Sequence, residues 1–157
     1  MDSKTSRYVM PKGRKIFTTF PDVLFLLEFS LGVALCVMLI ISEAEVDAFA
    51  LSVSVFCCVG TSAWFFIFFC GHNQKPFWPA LDLAFHVFLT ILYMIPSVIV
   101  TYLTIMGWWI LSKFGFSGGM GVNVIAVMSV GATLLYFIHA IFSAIRWKRH
   151  PIISDTV

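Results

Sequence analysis

Polarity changes along this chain in long blocks. Apolar side chains fill four runs, 23–42, 48–70, 80–106 and 122–145, and polar residues collect between and outside them. A helix rises about 1.5 Å per residue, so about 20 apolar residues cross a hydrocarbon layer of about 30 Å. Each run meets that length. Inside lipid every backbone N–H and C=O must be satisfied within its own segment, and the alternation of a membrane barrel is absent, so the runs are expected to be helices. The pattern predicts an all-α integral membrane protein: an antiparallel bundle of four transmembrane helices over 21–147, with tails at 1–20 and 148–157. No repeat and no separate soluble domain is expected.

Finer features punctuate the blocks. Pro21 and Asp22 suit the first turn of a helix, where proline loses nothing and a carboxylate meets the positive end of the dipole. The residues before them read as a polar, mobile tail. The connection 43–47 is so short that the first two helices must form a tight hairpin, and His72-Asn73-Gln74-Lys75-Pro76 makes the next turn. The third run exceeds one span and carries Pro96 in its middle, which predicts a kink and a tilt. Trp108 and Trp109 suit the outer interface, and Ser117-Gly118-Gly119-Met120-Gly121 reads as a flexible loop. Small residues recur four apart at Ala50, Ser54, Cys58 and Ser62, at Ser129 and Thr133, at Ala140 and Ala144, and at Ser30 and Ala34. Such stripes let helix backbones approach closely in lipid. The bulky run Trp64-Phe65-Phe66-Ile67-Phe68-Phe69 is expected to face lipid.

Composition sharpens the class. The chain is 60% hydrophobic and 11% charged, where average domains carry about a quarter charged residues. Nine of its ten basic residues (Lys4, Arg7, Lys12, Arg14, Lys15, Lys75, Arg146, Lys148 and Arg149) fall on one side if all four runs span. The positive-inside rule then puts both termini in the cytoplasm. The first apolar run is too long for a signal-peptide core and no small-residue cleavage site follows it, so it is expected to stay. All four cysteines, Cys36, Cys57, Cys58 and Cys70, lie in or beside the runs, which argues against an outer disulfide framework. Cys70, at the cytoplasmic end of the second run, is a candidate for S-palmitoylation.

Four ionisable residues lie within the runs: Glu28, Asp82, His86 and His139. A charge at the centre of a spanning helix costs about 2.5–3.5 kcal/mol on insertion scales, so each needs an explanation. Counting along the helices puts all four at a similar depth near the cytoplasmic side, and Asp82 and His86, four apart, share a face. They are expected to form a polar clamp joining helices one, three and four. The sequence holds no metal-ligand motif, phosphate loop or nucleophile elbow. No metal, cofactor, catalytic residue or nucleic-acid partner is therefore expected, and the chain reads as a non-enzyme. The alternative is a small transporter or channel subunit that uses the same acid–histidine cluster.

Several blocks also resemble a known family. Phe17-Thr18-Thr19-Phe20-Pro21-Asp22-Val23-Leu24-Phe25 with Glu28-Phe29 resembles the entry to the first span of the MAL (myelin and lymphocyte) proteolipids. Val53-Ser54-Val55-Phe56-Cys57 and Leu81-Asp82-Leu83-Ala84-Phe85-His86 resemble parts of their second and third spans. The stretch from Ala132 to Lys148, with Tyr136-Phe137-Ile138-His139-Ala140 at its centre, resembles the fourth. The resemblance implies a MARVEL-type four-helix domain and a proteolipid that organises cholesterol- and glycosphingolipid-rich membrane and sorts cargo, of the apical or myelin type. It implies residence in the plasma membrane and trafficking vesicles, and membrane cargo proteins as partners. It also assigns a sorting role to the segment Ile145, Arg146, Trp147, Lys148 and Arg149, whose bases suit anionic inner-leaflet lipid. A homo-oligomer is a possible assembly, and Asp155, Thr156 and Val157 form a weak match to a PDZ-domain ligand.

Overall fold

The computed structural model describes residues 10–42, 47–114 and 120–149. The expected PDZ ligand at Asp155, Thr156 and Val157 and most of the glycine-rich loop lie outside the described residues. Four helices follow one another: α1 Leu24–Ile41, α2 Asp47–Phe69, α3 Trp78–Lys113 and α4 Met120–Lys148. All four are long and apolar enough to cross a membrane, and no strand occurs among the described residues. The protein is an all-α, multi-pass membrane bundle.

Local chemistry sets the ends. Backbone turns from Val23 to Thr19 and from Leu24 to Pro21 lead into α1. Gly71, at φ 78°, closes α2 in the left-handed conformation that glycine adopts without strain. A short 3₁₀ turn, His72–Gln74, then reverses the chain, and Pro79 sits in the first turn of α3. The α3 helix runs on past the expected end at 106 and continues through both Pro96 and Gly107 to Lys113. One glycine costs a helix only about 1 kcal/mol, and the tryptophans, isoleucine and leucine that follow all extend it. Lys113 favours the negative end of the dipole and lies 3.6 Å over the Trp109 ring. The α4 helix likewise begins earlier than expected, at Met120.

The most extensive packing joins α3 to α4, with α1–α2 and α1–α4 next. Leu35, Leu39, Val53, Cys57, Leu89, Tyr93 and Tyr136 form the main core. Within it the Thr61 and Tyr136 hydroxyls share a 2.7 Å hydrogen bond. Outward, Ile40, Val59, Val98, Ile105 and Val127 are each more than 60% exposed, the surface that lipid tails would cover.

The expected small-residue stripes are only partly interfacial. Ala50, Ser54 and Ser129 are buried, but Ser30 and Ala34 are exposed. The buried stripe of α1 is Phe25, Glu28, Gly32, Leu35 and Leu39, spaced three and four apart, which turns 30 and 34 away. Gly32 is the close approach: a Cβ there would lie 2.6 Å from Cys58 Sγ.

Two further expectations are corrected. Residues 10–20 are not a free tail. A 3₁₀ turn, Gly13–Phe17, buries Ile16 completely, and Met10 is buried beside it. Asn73 donates to the Pro11 carbonyl at 2.9 Å and Gln74 to that of Met10 at 3.2 Å. The aromatic run of α2 does not simply face lipid either. Phe68 is fully buried, Phe25 packs against Phe65 and Phe68, and Phe17 meets Phe65 and Phe69 edge-on. Only one side of that run, led by Phe66, stays exposed. Residues 10–22, the α2–α3 turn and the end of α4 therefore meet at one end of an antiparallel bundle.

Candidate functional site

At that end all four helices send polar side chains to one buried point. Glu28 comes from α1, Trp64 from α2, Asp82 and His86 from α3, and His139, Ser143 and Arg146 from α4. Asp22 joins them from just before α1. On α4, Tyr136, His139, Ser143 and Arg146 fall three and four apart, which is one helix face; on α3, Asp82, His86, Leu89 and Tyr93 do the same. Aspartate, glutamate and histidine side chains alike are essentially inaccessible, and even Arg146 is only 5% exposed.

The hydrogen bonds run in two branches. In the first, Asp82 accepts from Trp64 Nε1 at 3.1 Å and from Ser143 Oγ at 2.6 Å, with Arg146 Nη1 at 3.6 Å. Arg146 Nη2 donates to Asp22 Oδ1 at 2.7 Å. Burial pushes the Asp22 carboxyl up from 3.8 to about 6, against the pull of the Arg146 guanidinium. In the second branch, His86 Nδ1 lies 2.8 Å from the Asp82 carbonyl and 3.3 Å from its carboxylate. His139 Nδ1 lies 2.8 Å from Glu28 Oε1, and His86 Nε2 is 3.9 Å from Glu28 Oε2. The two imidazoles stack with centroids 3.6 Å apart, and Phe25 presents its ring edge-on to His139 at 4.7 Å.

Sequence reasoning named Glu28, Asp82, His86 and His139, and these four meet. It missed Trp64, Ser143 and Asp22, and it placed Arg146 elsewhere. Asp22 does not merely face a helix dipole; it is the partner of Arg146. Arg146 in turn is not a free headgroup ligand, because its guanidinium is turned inward between two carboxylates. Ile145, Trp147, Lys148 and Arg149 around it are exposed, as is Cys70 at the end of α2. The spacing 139, 143, 146 was the signal that would have found the arginine.

The sequence as a whole is similar to known proteins. The chain is 36% identical over 149 residues to the Myelin and lymphocyte protein of Canis lupus familiaris, covering 88% of this chain and 92% of that one. It is 35% identical to the protein of that name from Homo sapiens, over 92% of this chain and 95% of the relative. The chain belongs to the myelin and lymphocyte protein family. The Bos taurus member is 35% identical over 145 residues, again 88% of this chain and 92% of the relative. No family model matches the sequence, and no solved structure matches it. As a member of this family with four spanning helices, the chain is a multi-pass membrane proteolipid.

Proposed function

We propose that this proteolipid is a non-enzymatic organiser of cholesterol- and glycosphingolipid-rich membrane, acting in sorting and traffic at the plasma membrane and in vesicles. Kinship with the Myelin and lymphocyte proteins along about nine-tenths of the chain carries this reading. The bundle supports it physically, since its outside is apolar and its polar groups are folded inward. In this reading both termini are cytoplasmic, the domain is of the MARVEL type, and the exposed Ile145, Trp147, Lys148 and Arg149 touch the inner interface. Each base near an anionic leaflet contributes about 1 kcal/mol, and tryptophan prefers the headgroup level. Glu28, Asp82, His86 and His139, with Asp22 and Arg146, serve as the clamp that fixes helix register. Cargo proteins bind through the spans, and Cys70 is accessible to acylation.

The test separates the tail from the buried network. An Ile145→Ala/Trp147→Ala/Lys148→Ala variant leaves Arg146 in place and should remain folded. Its partition between ordered and disordered phases of plasma-membrane vesicles, and its surface distribution in polarised cells, should shift away from those of the parent. Unchanged partition and distribution would remove the segment from the mechanism. Protease protection of terminal tags checks the orientation. A transporter built on the acid–histidine cluster would instead give ion flux in liposomes that Glu28→Gln abolishes without loss of stability.

A further inference from the structure

The histidine branch of the clamp leaves three buried acceptors unused. Glu28 Oε2, His86 Nε2 and His139 Nε2 have no hydrogen-bond partner among the described residues, although each lies on a side chain at most 1% exposed. Unpaired polar atoms in such a place are costly and call for an explanation. The tautomers deepen the question. His86 Nδ1 faces a carbonyl and a carboxylate of Asp82, both acceptors, so it carries the ring proton and Nε2 is left as a bare lone pair. His139 Nδ1 is paired with Glu28 Oε1 at 2.8 Å, so its Nε2 too is left without a partner.

The geometry points to a binding site for a divalent first-row transition ion, with Glu28, His86 and His139 as ligands and zinc as the chief case. One ligand atom from each of the three residues can be chosen so that all lie within 4.8 Å of one another. Tetrahedral zinc at about 2.0–2.2 Å from nitrogen and oxygen sets its ligand atoms about 3.3 Å apart, so the side chains close by up to about 1.5 Å and the two stacked rings turn apart to aim their lone pairs at one ion. Two imidazoles with a carboxylate suit zinc, copper, nickel or iron rather than calcium or magnesium. Asp82, on the far nitrogen of His86, holds that ring as outer-shell carboxylates commonly hold ligand histidines. The ion would join α1, α3 and α4 and make the clamp metal-dependent. The sequence reading expected no metal because the ligands are 58 and 53 residues apart and form no local motif. This inference stands apart from the proposed sorting role.

The experiment uses the full chain with a tag that contains no histidine, purified in detergent. Zinc content, the zinc-edge X-ray absorption spectrum and the melting temperature with added zinc or chelator are measured. Stoichiometric zinc is expected, with imidazole and oxygen scattering, no sulfur, and a melting temperature that zinc raises and chelator lowers. A His72→Ala/His150→Ala/Cys70→Ser variant should keep its zinc, Glu28→Gln and His86→Gln should lose it, and Asp82→Asn should weaken binding about 10–100-fold. If the cluster variants fail to fold, the absorption spectrum and chelator response of the unaltered chain still decide. An absence of zinc after reconstitution with an unmoved melting temperature would overturn the site. So would sulfur scattering, or loss of zinc from the His72/His150/Cys70 variant, which marks an adventitious ion only.

Discussion

Arg146 is the residue whose loss should cost the fold most for its position. It stands within three residues of the end of α4, where truncation is usually cheap, yet its guanidinium lies 2.7 Å from Asp22 and 3.6 Å from Asp82. Arg146→Met keeps the aliphatic stem and removes the charge. Asp22 is then buried without its cation, and Asp82 keeps only Trp64, Ser143 and His86. Breaking a buried pair from one side costs about 3–5 kcal/mol, because the remaining charge is uncompensated. Removing both partners costs much less, since the desolvation term goes as well. The Asp22→Asn/Arg146→Met double variant should therefore recover a large part of the loss, a coupling of about 1–3 kcal/mol. Reversible unfolding in mixed micelles, followed by tryptophan fluorescence, measures both. If Arg146→Met unfolds within about 0.5 kcal/mol of the parent, or if the two changes simply add, the ionic account of this end of the bundle is refuted.

Other outcomes follow from particular contacts. Burial raises the Asp22 carboxyl to about 6 from 3.8, so the folded state holds its proton more tightly than the unfolded chain. The contribution of this group is full below about pH 3.8 and is lost as pH rises through about 6; Asp22→Asn should flatten that part of the stability–pH profile. Gly32→Ala should destabilise by about 1–3 kcal/mol through the Cys58 sulfur, and adding Cys58→Ala should restore most of it, read from melting temperatures. In a double-mutant cycle of Thr61→Val with Tyr136→Phe, the hydrogen bond should register about 0.6–1.7 kcal/mol of coupling.

The number of helices was legible because a bilayer imposes a minimum length, and length survives in a sequence without tertiary information. Their ends were less so. Gly107 resembled a stop, yet nothing after it opposes a helix, and α3 runs on to Lys113. Four members of the buried cluster were legible because an ionisable residue among apolar ones stands out. Arg146 was hidden by its surroundings: beside Trp147, Lys148 and Arg149 it looks like one more interfacial base, and only its helical phase with His139 and Ser143 distinguishes it. Trp64 was hidden by the aromatics around it. Asp22 was read locally, as a helix-start residue, since nothing near it in sequence shows a partner 124 residues away. The packing of residues 10–20 was equally invisible, because the polar contacts that anchor it use the backbone carbonyls of Met10 and Pro11, a group every residue possesses, and its apolar side chains are scattered among basic ones.

The partner of Glu28 has a consequence for the order in which the chain is made. Synthesis proceeds from the N-terminus at about 5–20 residues per second, and His139 lies 111 residues after Glu28. The first helix therefore enters the membrane several seconds before the imidazole that will meet its carboxyl exists. During that interval Glu28 has no partner on its own helix, where a charge would oppose insertion, though by less than the roughly 2.5–3.5 kcal/mol of a central one because Glu28 lies near the helix end. Yet α1 is the most apolar of the four spans. Its apolar excess is what would let it wait in lipid with an unmatched acid until the last helix arrives.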